Sequence, residues 1–423
     1  MYNASQLFKG DRSMINVAYI KKVIKDRGLT LQNVADHCDM TKGYLSQLLN
    51  NKVQNPSATK LNALYQYLNI NPQEEEKTVG IIFGAFYPLH TGHVYLIQRA
   101  ISQMDELHII LRHNEERDYQ TFKDSAMSRQ PSLKDRLRWL LQTFKYQKNI
   151  HIHYIDEENL SQSEEDQILW AKKVDYFLQS HNIKPDMIYS SENNDVDFYL
   201  KHLNLPTKVI DPERTFMTIR SEDIRRSPLS HWEYIPTEVK PFFVKTIAIL
   251  GGDSSGKSTM INKLANMFNT TSAWEYGKEY IFKHLGGDER ALQFDDYNNI
   301  ALGQAQYIDF AVKHANKIAF IDTAFVTTQA FCIKYEGKPH PSVEAMLNNY
   351  YFDLVIFLEN NTPWVSDGLR HLGSNQARKE FQSLLKLILN KHNIPYVEIN
   401  AEEYDERYLQ CIELVKGVLK ASS

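Results

Sequence analysis

Cysteine is scarce in this chain: three in 423 residues, Cys38, Cys332 and Cys411, far apart and without metal-ligand spacing. That excludes a disulfide framework and a cysteine metal centre, and predicts buried thiols in a cytoplasmic protein. Long apolar runs are absent too. None approaches the roughly 20 residues that cross a bilayer, so no membrane insertion is expected. The first residues lack the apolar core of a secretory signal. Net charge is small, with 48 Lys+Arg against 52 Asp+Glu. Its distribution is uneven: residues 1–73 contain no glutamate and set nine Lys/Arg against four Asp, an excess of five positive charges. Such a local excess points to a nucleic-acid partner for this part alone. What the chain has in quantity is core material, 43% hydrophobic and 12% aromatic residues, which excludes a disordered chain. Its length predicts two or three domains.

Residues 246–250, rich in branched apolar side chains, predict a buried parallel strand. The turn that follows matches the phosphate-loop pattern at Gly251, Gly256, Lys257 and Ser258, with Thr259 beside them. The glycines let successive backbone N–H groups curl around phosphates, and the next helix presents its positive end to them. Lys257 is expected on the β/γ-phosphates of ATP and Ser258 on Mg²⁺. Met260, Ile261, Leu264, Met267 and Phe268 give the helix its apolar face.

A second strand, 79–83, runs into Gly84, Phe86, Pro88 and then His90-Thr-Gly-His93. Two histidines three apart share a helix face at its positive end. They suit a triphosphate whose charge grows as pyrophosphate leaves, a reaction in which the site aligns the reactants and needs no protein nucleophile. This motif resembles the nucleotidyltransferase superfamily. Segments 107–111, 150–154, 187–189 and 207–210 supply further strands of an alternating α/β sheet. Arg112 stands just past one of them, where open α/β sheets place ligand contacts.

Nearer the N-terminus, residues 31–37 and 41–49 predict two short helices around a tight turn, with Thr41 as the cap of the second. Val34, Ala35, Leu45 and Leu48 would fill their crossing. The pattern resembles a helix-turn-helix of the Cro/phage-repressor type, whose second helix would expose Thr41, Lys42, Tyr44, Ser46 and Gln47 to the major groove. Self-association is the alternative use of such a module.

The whole chain resembles the NadR family, in which a helix-turn-helix is joined to a nicotinamide-mononucleotide adenylyltransferase and a ribosylnicotinamide kinase. The resemblance implies domains at 1–73, 78–230 and 243–423: a small all-α unit, then two parallel-sheet nucleotide-binding α/β domains. It implies phosphorylation of nicotinamide riboside and adenylylation of the resulting mononucleotide to NAD, with ATP as co-substrate, Mg²⁺ as cofactor, and NAD as product and candidate effector. Operator DNA and a homo-oligomer belong to the same expectation. Asp322, ending the strand 317–322, takes the Walker-B position, while Ala324 stands where a second acid is expected. Trp274 and Tyr276 are expected to stack on a cationic ring, Glu275 to hold a ribose, and Ser190 and Glu192 to contact nucleotide. Segment 364–378 resembles a lid whose Arg370 and Arg378 close on the transferring phosphoryl group. In the second transferase motif Ile219, Ile224 and Arg225 match, but Arg220 and Glu222 replace a serine and a threonine, and a carboxylate there repels phosphate; Arg225, expected among the catalytic residues, and the backbone amides of a helix start are left to hold the phosphates. Two alternatives stay open: another nucleoside kinase with a degenerate transferase, or a repressor using NAD or ATP as co-effector.

Overall fold

A computed structural model of the chain describes residues 17–50, 52–53, 56–70, 77–158, 160, 163–360 and 375–421. They fall into two compact units, Met1–Thr78 and Val79–Ser423. The first is helical: Val17–Asp26, Leu31–His37, Lys42–Leu49 and Ala58–Tyr67. Thr30 and Thr41 cap the second and third helices, their hydroxyls accepting from the N–H groups of Asn33 and Tyr44. Each such cap contributes about 1 kcal/mol. Val34, Ala35, Leu45 and Leu48 are buried in one core with Leu49 and Leu64.

The second unit holds two five-stranded parallel sheets. The strands β1 (Val79–Gly84), β2 (Glu106–His113), β3 (Ile150–Asp156), β4 (Met187–Ser190) and β5 (Thr207–Val209) lie in the order β3-β2-β1-β4-β5. The strands β6 (Lys245–Gly251), β7 (Thr271–Ala273), β8 (Ile318–Asp322), β9 (Leu354–Leu358) and β10 (Val397–Ile399) lie in the order β10-β9-β6-β8-β7. In each, the first strand in sequence is central, with partners on both sides, so strand order reverses beside its C-terminal end. That is where doubly wound sheets open a ligand crevice.

Central strands flanked by helices on both faces must be apolar throughout. Ile247, Ala248, Ile249 and Leu250 are all buried, as are Ile81 and Ile82; each fully buried large aliphatic side chain stabilises the fold by about 1.5–3 kcal/mol. Residues 231–244 join the two sheets through a continuous core. Trp232, Ile235, Val239, Phe242 and Phe243 are buried in it, Phe242 meets Trp139 edge-on with ring centroids 5.2 Å apart, and the long helix Asp296–His314 packs on the Lys240–Phe242 turn. None of the described helices is long and apolar enough to cross a membrane.

Candidate active sites

The loop after β6 is shaped by backbone conformation. Gly251 and Gly256 adopt φ of 152° and 87°, and Ser254 adopts 57°. A Cβ on Gly251 would sit 2.5 Å from the carbonyl oxygen of Leu358, so no other residue fits there. Gly256 leads directly into the helix Lys257–Met267, whose free N–H groups and dipole favour an anion. Lys257 is buried and donates to the Gly252 carbonyl at 2.8 Å. Ser258 Oγ donates to Asp322 Oδ2 at 2.5 Å, and Thr323 Oγ1 to Asp322 Oδ1 at 3.1 Å. This set of hard oxygen donors fits Mg²⁺.

Thr323 also lines a pocket of about 440 Å³ with Glu275, Glu289, Tyr297, Gln304, Thr327 and Tyr335. The hydroxyls of Tyr297 and Thr327 are buried there without a hydrogen-bond partner, a cost that a polyhydroxylated ligand removes. Tyr335 donates to Glu289 at 3.1 Å. Glu275 is brought into this pocket, but its neighbours are not. Trp274 is half exposed outside it, and the Tyr276 ring packs over Gly303 and edge-on to Tyr307. Arg370 lies outside the described residues. Arg378 is buried, and its guanidinium donates twice to the Asp253 carbonyl, at 3.2 and 3.1 Å. It ties down the phosphate-loop backbone at Asp253. Arg407 does the same at Ser255, bridging its carbonyl (3.2 Å) to those of Ala401 and Glu359.

At the end of β1 the chain turns through Phe86 (φ 47°) into the helix Thr91–Ile101. Gly84 is required because a Cβ would meet the Phe86 ring at 2.8 Å. His90 caps the helix: its Nδ1 accepts from Gly92 N–H at 3.1 Å, while His93 Nδ1 accepts from His90 N–H at 3.4 Å. The rings stack with centroids 3.8 Å apart. Because both Nδ1 atoms accept, each ring carries its proton on Nε2, giving two neutral donors for phosphate oxygens. Burial, then the Arg214 guanidinium, hold the His93 pKa down at about 3. Burial, His93, Arg214 and Arg225 hold His90 well below its ordinary value.

A cleft of about 1090 Å³ opens here, lined by Gly84, Phe86, His90, His93, Ser190 and Glu192, and also by Arg214, Arg220, Ser221 and Glu222. Ser190 donates to Asp195 and accepts from the Glu192 N–H. Glu192 is paired with Arg214, whose Nε is buried without a partner. Arg225 donates from Nη1 to the Tyr87 carbonyl at 2.7 Å. Arg136, fully buried, holds the neighbouring Ala85 carbonyl at 2.9 Å. Arg112 is not brought to the cleft: it pairs with Glu157 at 2.6 Å and lies over the Trp170 ring.

A family model described as an AAA domain matches residues 246–407, and one described as a helix-turn-helix domain matches residues 18–79. The trifunctional NAD biosynthesis/regulator protein NadR of Escherichia coli K12 is 60% identical over 406 residues, covering 96% of this chain and 99% of that protein. The protein of the same name from Salmonella typhimurium LT2 is equally similar, at 60% over 406 residues, with the same coverage. The chain belongs to the NadR family. Its membership makes this an enzyme of NAD biosynthesis, with kinase and adenylyltransferase parts, joined to a regulator. Two solved NadR structures share the fold. One, in complex with NR, aligns with a TM-score of 0.68 at 24% identity; the other, with NAD and AMP-PNP, with 0.67 at 23%. Each alignment covers 81% of this chain and 96% of the other.

Against the NadR pattern, the replaced residues of the second transferase motif are accommodated at the surface. Arg220 and Glu222 are exposed, and the Glu222 carboxylate is paired with Arg226 at 2.5 Å, so its charge does not stand alone against phosphate. Arg214, Arg136 and Arg407 carry no sequence motif. Arg136 and Arg407 have one legible signal, an arginine on the apolar face of a helix; Arg214, in a polar loop, has none. In the helical unit Thr41, Lys42 and Gln47 are exposed. Tyr44 is engaged internally, its hydroxyl accepting from Ser57 N–H and its ring lying under Lys60. Ser46 is half buried.

Proposed function

We propose that this chain makes NAD in two ATP-dependent steps, on a three-domain division at 1–73, 78–230 and 243–423. In the third domain the 5′-hydroxyl of nicotinamide riboside attacks the γ-phosphorus of ATP, ADP leaves and the hydroxyl proton is lost. In the second, a phosphate oxygen of the mononucleotide attacks the α-phosphorus of another ATP, and pyrophosphate leaves. The observation that carries the kinase reading is continuity: phosphate loop, Ser258, Asp322, Thr323 and the pocket with its unpartnered hydroxyls adjoin one another without a break. Lys257 and the helix N-terminus grip the phosphates, and Glu275, Tyr297 and Thr327 hold the riboside. Ser258 and Asp322 would hold Mg²⁺, which would supply charge neutralisation on the phosphates. In the transferase cleft His90, His93 and Arg214 stabilise the pyrophosphate leaving group, while Ser190 and Ser221 contact nucleotide. Incubation with nicotinamide riboside and labelled ATP tests both steps. NAD and ADP are expected; mononucleotide without NAD removes the transferase, and no turnover favours a pure regulator.

The helical unit is proposed to bind operator DNA, carried by its exposed Lys42 and Gln47 on a capped helix within a positively charged segment. Dimeric half-sites one helical turn apart, roughly 34 Å, then require a homo-oligomer. Lys42→Ala should weaken all duplexes alike and flatten the log–log salt slope by about one unit. Gln47→Ala should relax discrimination at one base position. A full-length protein that retards no duplex at low salt, with or without NAD and ATP, makes this unit an assembly element. Three buried, unbridged cysteines suit a reducing cytoplasm.

A further inference from the structure

At the opposite end of the first sheet from its nucleotide cleft lies a group of side chains that neither reaction uses. Glu106 and His108 stand two apart at the start of β2, so the strand's period of two puts them on one face. His108 is in register with His151 on the adjoining strand β3, which brings the third side chain alongside. Among the described residues this is the one group of His, Cys, Asp and Glu whose ligand atoms all lie within 4.8 Å of one another. The His108 and His151 rings lie nearly parallel, centroids 4.9 Å apart. A fourth side chain supports them: His153, two residues along β3, meets His108 Nδ1 with its Nε2 at 3.0 Å. His153 is packed edge-on by Phe177 and His181 at the end of the helix Glu164–Ser180.

We infer that Glu106, His108 and His151 form a site for a borderline transition-metal ion, Zn²⁺ by chemistry, with His153 as the partner that orients His108. Two imidazoles and a carboxylate are a ligand set for zinc, leaving one tetrahedral position for water or an outside ligand. The hydrogen bond on His108 Nδ1 is the outer support that ligating imidazoles need, since it sets the tautomer and presents Nε2 to the ion. Nitrogen donors discriminate against Mg²⁺, so this site is chemically distinct from the oxygen set at Ser258 and Asp322. A bound ion would cross-link an edge strand of the sheet, β3, to β2, away from the ends of β1 and β4 that line the cleft. Its role is therefore structural or regulatory.

The test uses full-length protein stripped with a chelator and titrated with Zn²⁺ by calorimetry in excess Mg²⁺, with Co²⁺ absorption as a second readout. One equivalent per chain, undisplaced by Mg²⁺, with the visible band of tetrahedral Co²⁺ is expected. His151→Gln and Glu106→Gln, both at half-exposed positions, should weaken binding by about a hundredfold or more. His153→Ala, touching only the support, should weaken it about 10–100-fold. His93→Gln, in the nucleotide cleft, should leave it unchanged. No Zn²⁺ bound by the wild type, or equal binding by His151→Gln and Glu106→Gln at wild-type circular dichroism, would overturn the assignment. So would loss of the Co²⁺ band in His93→Gln, because the ion would then belong to the cleft.

Discussion

As proposed, the two nucleotide sites solve one problem with different materials. At the kinase site the phosphate grip is mostly backbone: glycines in conformations closed to other residues, a helix N-terminus and one lysine. At the transferase site it is mostly side chain: two stacked, neutral imidazoles and an arginine brought from a distant loop. Behind both grips, however, the same device recurs. A loop that turns its N–H groups toward phosphate turns carbonyls away from it, and those carbonyls need donors. Arg378 and Arg407 serve Asp253 and Ser255 in one site; Arg136 and Arg225 serve Ala85 and Tyr87 in the other. Guanidinium suits this work because its several N–H donors can satisfy more than one carbonyl. Each of these arginines ties down the backbone of a loop that is proposed to hold phosphate.

The largest effect that would separate the sites is expected from Lys257→Ala. It should reduce riboside phosphorylation by on the order of a thousandfold or more, the scale of charge-stabilising groups in phosphoryl transfer. Conversion of mononucleotide to NAD should be nearly unchanged; equal loss of both in a folded variant would merge the sites. His93→Ala should lower NAD formation by at least about tenfold and up to the 10²–10³ typical of one lost donor, with phosphorylation spared. Steady-state rates of the two half-reactions decide both.

The props give a subtler contrast. Arg407→Ala removes hydrogen-bond donors from the Ser255 and Glu359 carbonyls and should cost about 2–3 kcal/mol of stability and about tenfold in phosphorylation. Arg136→Met should produce the matching loss in NAD formation. Thermal melts beside the two assays check this, and activity loss crossing from one site to the other would contradict independent props. The imidazoles also leave a mark on stability against pH. With His93 at about 3 when folded and near 6.5 when unfolded, the unfolded chain binds the extra proton between those values. That contribution is complete above pH 6.5 and is lost as pH falls toward 3. His93→Gln should therefore flatten the fall of the melting midpoint between pH 6.5 and 4; an unchanged slope would mean that the ring is not held neutral. Smallest is the effect of Arg220→Ser with Glu222→Thr. Since Glu222 is already paired with Arg226, NAD formation should rise only a few-fold or hold level, and a marked fall would show that Arg220 itself binds phosphate.

What the sequence determined alone is whatever a few neighbours dictate. The buried strands are legible as apolar runs, the phosphate loop as glycines at fixed spacing, the helix-turn-helix as two short helices with a threonine cap and a small apolar set, and the histidine pair as a helix start. Each is a local requirement, so it leaves a local pattern. β7 escaped this reading because three small or polar residues make no run; its pairing with β8 creates it. The pocket walls at Tyr297, Thr327 and Tyr335 escaped it as well, and the lid and stacking roles expected of Arg378, Trp274 and Tyr276 met different surroundings. Arg407 reaches a carbonyl 152 residues away, and Arg136 one 51 residues away. Such contacts depend on where the sheets and helices bring distant chain together, and only the tertiary structure decides that.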